Sequence, residues 1–320
     1  MTDTTALWHL SERESSIRSQ SLPPLKTDEC LIESLFSLVS SGTETLVANG
    51  QVPAELQDSM QVPYMEGSFG FPLKYGYSLV GKVIEGSENL VDRYVHLLHP
   101  HQQHCVVKET DVTVIPEGIP PQRAVLASNL ETALNAVWDS HLSAGDRVLV
   151  VGMGLIGSLV ALLASQFPAT QIRVAETDPT RQSLAREQGF SLYDPSDTPF
   201  DVAFHSSGSS TGLQTAIDAV GYEGQVIELS WYGTRSAEVK LGGSFHQQRK
   251  QIISSQVSQL PAHRQARWDY RRRKQTVLDL LQDDGWDDFL TATVDFTDVP
   301  ALFDQLRLGD RSQLSWTLRY

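Results

Sequence analysis

Two hydrophobic patterns alternate through the middle of the chain. Short unbroken apolar runs are separated by longer stretches with apolar residues at helical spacing. "VLVV" (Val148–Val151) follows the turn Gly145-Asp146 and reads as a buried strand. "SLVALLASQF" then reads as a helix, and "IRVAE", ending at Glu176, as a second strand. "PFDVAFHSSG" is a third, "TGLQTAIDAVG" a helix ending on Gly221, and "GQVIELSWYG" and "KQIISSQV" are further strands. Strands alternating with helices predict an α/β fold with a parallel, doubly wound sheet. The first 118 residues differ. Turn residues crowd "SLPPLKTDE", "EGSFGFPLKYG" and "IEGSEN", and short runs such as "HCVVKET" and "VTVIP" predict a small barrel or sandwich. After the sheet comes a basic stretch, "HRQARWDYRRRKQTVLDLLQ", expected to be helical, and then a closing strand, "SQLSWTLRY".

Val148 to Ala164 also forms a run without charge that approaches the length of a membrane span. Gly152, Gly154 and Gly157 break it near its start, so strand, turn and helix is the better reading. At 320 residues the chain is long enough for its core to split into two domains. A formal net charge of −14 argues against nucleic-acid binding, which needs a basic face, and against adhesion to anionic membranes. The two cysteines, Cys30 and Cys105, cannot build a disulfide framework, and the N-terminus lacks a charged-then-apolar leader pattern. A cytoplasmic protein is therefore expected.

The glycines carry the chemistry. In Gly152-Met153-Gly154-Leu155-Ile156-Gly157, the first glycine allows a tight turn after the strand. The second lets the backbone approach a pyrophosphate, and the third lets helix pack on strand. The amides at the helix start, Leu155 and Ile156 among them, would face the phosphates. Glu176 stands where an acid binds both hydroxyls of an adenosine ribose and repels a 2′-phosphate. NAD is therefore expected over NADP. Ligands sit at the carboxyl ends of such strands, which nominates Ser206, Ser230, Trp231, Tyr232, Ser254 and Gln256 as cleft residues.

"HLLHPHQQHC" (His96–Cys105) places four histidines and a cysteine in ten residues. Its spacing fits no usual metal pattern, and Pro100 divides it. Partly exposed histidines on a barrel turn are expected, with His101 the one to point into a cleft as acid or base.

"PLKYGYSLVGKVIEGSE", the helix "LETALNAVW", "GDRVLVVGMGLIG" and the β-rich tail together resemble the medium-chain dehydrogenase/reductase superfamily of zinc alcohol dehydrogenases and quinone reductases. The resemblance covers nearly the whole chain. "SSGTETLVANGQVP" with "GYSLVGKV" is most similar to the bacteriochlorophyllide 3-hydroxyethyl dehydrogenase branch. The resemblance implies a GroES-like catalytic domain (1–129), an inserted Rossmann NAD-binding domain (130–257) and a return to the first domain (258–320). It implies an enzyme acting on a small molecule. It also implies a homodimer through the Rossmann sheet edge, of which the residues themselves give no sign.

Zinc members usually carry Gly-His-Glu where this chain has Gly76-Tyr77-Ser78, a cysteine where it has Ser41, and another ligand where it has Ser128. Hydroxyls are poor zinc ligands, so no metal is expected. Without zinc, hydrogen-bond donors must face the developing alkoxide. Thr43 matches the family's first proton-relay hydroxyl, or is only a turn residue. Tyr77 would polarise a carbonyl, or donate a proton if its pKa is lowered, or merely fill the zinc cavity. Glu44 would orient neighbours, carry the proton outward or form a structural ion pair. Arg267 matches an arginine that some members place near the pyrophosphate. Its neighbours Arg264, Arg271, Arg272 and Arg273 could recruit an anionic group, against which "RRRK" reads as plain surface. The expected reaction interconverts a secondary alcohol and a ketone. Reduction of an activated carbon–carbon double bond and a non-catalytic NAD scaffold are the alternatives.

Overall fold

The structure is a computed structural model that describes residues 3–197 and 199–320. It divides into two compact units, Met1–Ser128 with Lys274–Tyr320, and Asn129–Arg273. The second changeover lies further along than the 257/258 boundary expected from sequence. Arg273 explains this locally, because its guanidinium binds Glu131, Asn135 and the Val257 carbonyl inside the second unit.

The second unit is built on a six-stranded sheet. Its order is Ser191–Leu192, Gln171–Ala175, Arg147–Val151, Phe200–His205, Val220–Glu228, Gln251–Ser254, and every pairing is parallel. Numbered along the chain this is 3-2-1-4-5-6, the Rossmann order, which reverses direction at Arg147–Val151. The central strand is buried along Val148–Val151, as expected of a parallel strand covered on both faces. The helices Leu155–Ser165 and Ser210–Ala219 bury Leu159, Val160, Leu163, Leu213 and Ile217. The latter stops at Ala219 and runs straight into the next strand, without the break at Gly221 that the pattern suggested.

The first unit holds a seven-stranded sheet and a four-stranded one. The long strand Glu29–Val39 pairs antiparallel with Leu79–Glu85 on one side and with the C-terminal strand Trp316–Arg319 on the other. Trp316 lies opposite Val39, so the tail returns to the seven-stranded sheet that Glu29–Val39 begins. This is the β-rich, GroES-like half. The basic stretch is helical only over Tyr270–Leu280, with turns before it. Cys30 and Cys105 are free and buried in one apolar cluster with Ile32, Leu79 and Val83. Among the described residues, no helix is long and apolar enough to cross a membrane.

Candidate functional site

The glycine turn has the geometry its sequence implies. Gly152 adopts φ +95°, and a Cβ there would meet the Ser207 backbone at 2.8 Å. A Cβ on Gly157 would lie 1.9 Å from the Gly152 carbonyl oxygen, so only glycine allows this helix to approach its strand. Gly154 differs: nothing but the Arg181 guanidinium comes within 4 Å, at 3.9 Å. Gly154 is also the N-cap of Leu155–Ser165, and no side chain caps that helix. Its first amides are thus available to an anionic ligand at the carboxyl end of the sheet's central strand. The residues present fit a dinucleotide. Leu155 is buried and Ile156 half-buried in the first turn.

Glu176 is half-buried beside this turn. It accepts from Met153 N–H at 2.7 Å, Thr177 N–H at 2.6 Å and Asp178 N–H at 3.0 Å, so backbone amides fix the carboxylate in place. Ser206 donates to the Gly152 carbonyl at 2.9 Å and braces the turn. Ser230 accepts from Gly208 N–H at 3.0 Å. Ser254 ends the edge strand and is exposed, as is Arg267. The other arginines do not form one exposed cluster. Arg273 is buried against Glu131, and Arg264 and Arg272 both stack on Trp268. "RRRK" is therefore not plain surface.

In the first unit a group of hydroxyls surrounds Tyr77. The side chains of Ser40 and Thr43, at the start of the helix Ser41–Ala48, lie near enough to its phenol to favour the anion, but by less than burial disfavours it. Burial and the nearby Glu44 carboxylate push its pKa above the ordinary phenol value. The lowered pKa entertained from sequence is therefore corrected: the shift is upward, and it keeps the Tyr77 hydroxyl protonated. Glu44 is buried, accepting from Ser40 N–H at 2.7 Å through Oε1 and facing His101 Nε2 at 2.8 Å through Oε2. Of the roles weighed for Glu44, two have visible geometry: orienting a neighbour, through Ser40 N–H, and pairing with a basic group, through His101. His101 Nδ1 lies 2.7 Å from Ser37 Oγ, which lies 2.8 Å from the Tyr320 hydroxyl. With the ring proton on Nε2, this runs as one directed chain from Tyr320 through Ser37 and His101 to Glu44.

The histidine-rich stretch is not an exposed turn. His96, His99 and His101 are all buried, and His104 alone is half-buried. The reason is tertiary. Tyr94–Leu97 and His104–Lys108 both pair within the seven-stranded sheet, and residues 101–103 bond to the first strand, as in Leu7 N–H to the His101 carbonyl. Burial drives the pKa of His99 down to about 3 and that of His96 well below the usual value.

No protein-family profile matches the chain. A D-guloside 3-dehydrogenase of Shigella flexneri is 25% identical over 207 residues, which is 60% of this chain and 59% of that protein. The chain thus matches somewhat under two thirds of that relative's length. A 2R,3R-butanediol dehydrogenase of Bacillus subtilis superposes over 100% of both chains with a TM-score of 0.79 and 21% identity. A candidate zinc-binding dehydrogenase of Sinorhizobium meliloti, solved with NADP, does so with a TM-score of 0.80 and 16% identity. The fold is that of the medium-chain dehydrogenases. By sequence the chain is also similar to an (R,R)-butanediol dehydrogenase of Bacillus subtilis, 31% identical over 141 residues, which is 40% of this chain and 41% of that protein.

The positions where medium-chain dehydrogenases carry zinc ligands do not suit a metal here. Ser78 donates to the Val125 carbonyl at 2.6 Å, and Ser128 donates to the Tyr77 carbonyl at 2.8 Å. Both hydroxyl oxygens also lie near His96 Nε2, at 3.2 and 3.3 Å. Their single protons being spent on carbonyls, the ring must donate from Nε2, which leaves Nδ1 to accept from Lys274 Nζ at 3.5 Å. Among the described residues, no three His, Cys, Asp or Glu side chains form a group that could hold a metal ion. Sequence reasoning missed Ser40, His96, Arg181, and the partnership of Glu44 with His101. The helix start at Ser41 could have suggested Ser40; nothing local pointed to the others.

Proposed function

We propose that the protein is an NAD-dependent, zinc-independent oxidoreductase that interconverts a secondary alcohol and a ketone. One combination carries this reading: an open glycine cradle with Glu176 beside it, and a phenol, Tyr77, held protonated by burial with the hydroxyls of Ser40 and Thr43 near it. A nicotinamide held there would supply the hydride chemistry, as acceptor from the alcohol carbon or donor to the ketone. Gly152, Gly154 and Gly157, with the amides of Leu155 and Ile156, hold the pyrophosphate. Glu176 binds the ribose diol and repels a 2′-phosphate. Ser206 acts through the Gly152 carbonyl it braces. Ser230, Ser254 and Arg267 serve the remaining polar groups of the nucleotide.

Tyr77 donates a hydrogen bond to the substrate oxygen and stabilises negative charge there. Thr43 passes the alcohol proton onward, and Glu44 holds the Ser40–Thr43 segment through its bond to Ser40 N–H. The similarity to dehydrogenases of D-guloside and butanediol supports secondary alcohol chemistry. The likeness of "SSGTETLVANGQVP" to the bacteriochlorophyllide-type branch favours a ring-bearing alcohol. A homodimer through the edge strand Gln251–Ser254 belongs to the same proposal.

The test is fluorescence titration with NADH and NADPH, followed by an alcohol and ketone panel with elemental analysis of the protein. NADH should bind more tightly than NADPH, and Glu176→Ala should narrow the gap. Activity should survive chelation. Failure to bind either nucleotide would sink the proposal, as would activity that tracks zinc content. Alkene reduction without alcohol oxidation would move it to the double-bond reductases, and tight binding without turnover to the scaffold reading.

A further inference from the structure

One group of side chains in the Rossmann unit is left unassigned; it adjoins the glycine cradle, where a Cβ on Gly152 would meet the Ser207 backbone, but its chemistry needs no nucleotide. His205 ends the strand Phe200–His205 and Glu228 ends Val220–Glu228, and the two residues are partners in register. The His205 ring is fully buried. Its Nδ1 lies 2.9 and 2.8 Å from the two Glu228 carboxylate oxygens. Its Nε2 lies 2.7 Å from Ser207 Oγ, and Ser207 is exposed.

The proton positions follow from the partners. Glu228 also accepts from Ser230 N–H at 2.7 Å and from the Tyr232 hydroxyl at 3.2 Å. A carboxylate facing donors on all sides takes the Nδ1 proton of His205 as well, so Nε2 is left to accept from the Ser207 hydroxyl. Ser207 is thus an exposed residue whose hydroxyl lies against a base, with Ser209 Oγ at 2.9 Å able to donate to it, and the base is held by an acid. That is the arrangement by which a weak nucleophile is activated. Gly212 makes room for it. A Cβ there would lie 2.2 Å from Ser207 Oγ and 3.0 Å from His205 Nε2. Ser207 also precedes the helix Ser210–Ala219, whose first amides have no partner inside the helix.

We propose that Ser207, His205 and Glu228 form a nucleophilic triad that takes an acyl group from small activated esters. Ser207 Oγ attacks the carbonyl carbon while its proton moves to His205 Nε2. The carbonyl electron pair moves onto oxygen, where the amides of Ser210 and Thr211 are the donors. The pair then returns, the bond to the leaving oxygen breaks, and His205 gives its proton to the departing alcohol. Water, deprotonated by His205, cleaves the acyl-serine, releases the acid and restores the Ser207 hydroxyl.

The experiment uses the intact protein with a fluorophosphonate probe and with p-nitrophenyl acetate. Peptide mapping should place one adduct on Ser207. Ester hydrolysis should exceed that of Ser207→Ala by at least about 100-fold, and His205→Gln should lose a similar factor. Glu228→Gln, which removes the charge behind the imidazole, should lower the rate at least about tenfold. Ser207 is exposed, so Ser207→Ala should keep the wild-type melting temperature and remains informative if His205→Gln fails to fold. An adduct on another residue overturns the proposal. So does the absence of any adduct, or a Ser207→Ala protein that hydrolyses the ester at the wild-type rate.

Discussion

Acid should destabilise this protein well above the pH at which carboxylates protonate, because three histidines are folded into its first unit. His9 is 1% and His99 3% exposed. Burial is the main cause that lowers each pKa to about 3, helped at His9 by Arg307 and at His99 by Lys74. His96 shifts the same way. In the unfolded chain these rings bind protons below the ordinary imidazole value of 6.5, whereas the folded chain refuses them until about pH 3. Their stabilising contribution is therefore complete above pH 6.5 and is lost progressively as pH falls below it. Each ring costs about 1.4 kcal/mol per pH unit in that window. Between pH 6.5 and about pH 5, His9 and His99 together remove about 4 kcal/mol, and His96 adds to it. Total stability for a typical domain is about 5–15 kcal/mol. Urea unfolding followed by circular dichroism at several pH values in this window measures the slope directly. His99→Asn, a neutral residue that can still donate to the Pro100 carbonyl as His99 Nδ1 does at 2.8 Å, should make the slope shallower by about one proton. A midpoint that does not change between pH 6.5 and 5 would refute the reasoning.

Three further outcomes follow from the site. Tyr77→Phe removes the neutral donor and should lower kcat about 100-fold or more while leaving NADH affinity unchanged, read by steady-state kinetics and fluorescence titration. Glu44→Ala strips both the Ser40 amide and His101 of their partner inside the protein and should cost about 3–5 kcal/mol in a denaturant melt. An unchanged melt would mean that water replaces the carboxylate. Gly157→Ala forces a Cβ onto the Gly152 carbonyl and should abolish NADH binding. Retained affinity would show that the turn can yield.

Local chain pattern was enough for the glycine turn and the sheet of the second unit. The strand, the three glycines and Glu176 lie within 30 residues, and their spacing is tied to backbone geometry that neighbours along the chain impose. Gly157 must be glycine because a carbonyl five residues earlier leaves no space, a constraint the motif already encodes. The hydroxyls at Ser41, Tyr77, Ser78 and Ser128 were equally visible as residue types unsuited to zinc.

What the sequence could not decide was what each polar side chain meets. His101 reaches Glu44 across 57 residues, and Ser37 meets Tyr320 across 283. A run of histidines beside a proline looks like a turn until the sheet closes over it, and burial then changes their titration. Tyr77 could be read as an acid with a lowered or an ordinary pKa; the loss of water around the ring, and after it the Glu44 carboxylate, decided for a raised one. His205 and Glu228 look like ordinary strand ends until parallel pairing sets them side by side. Backbone conformation depends on near neighbours and can be read along the chain. Solvation and charge depend on whatever the fold brings close, and that is fixed only when the distant strands have paired.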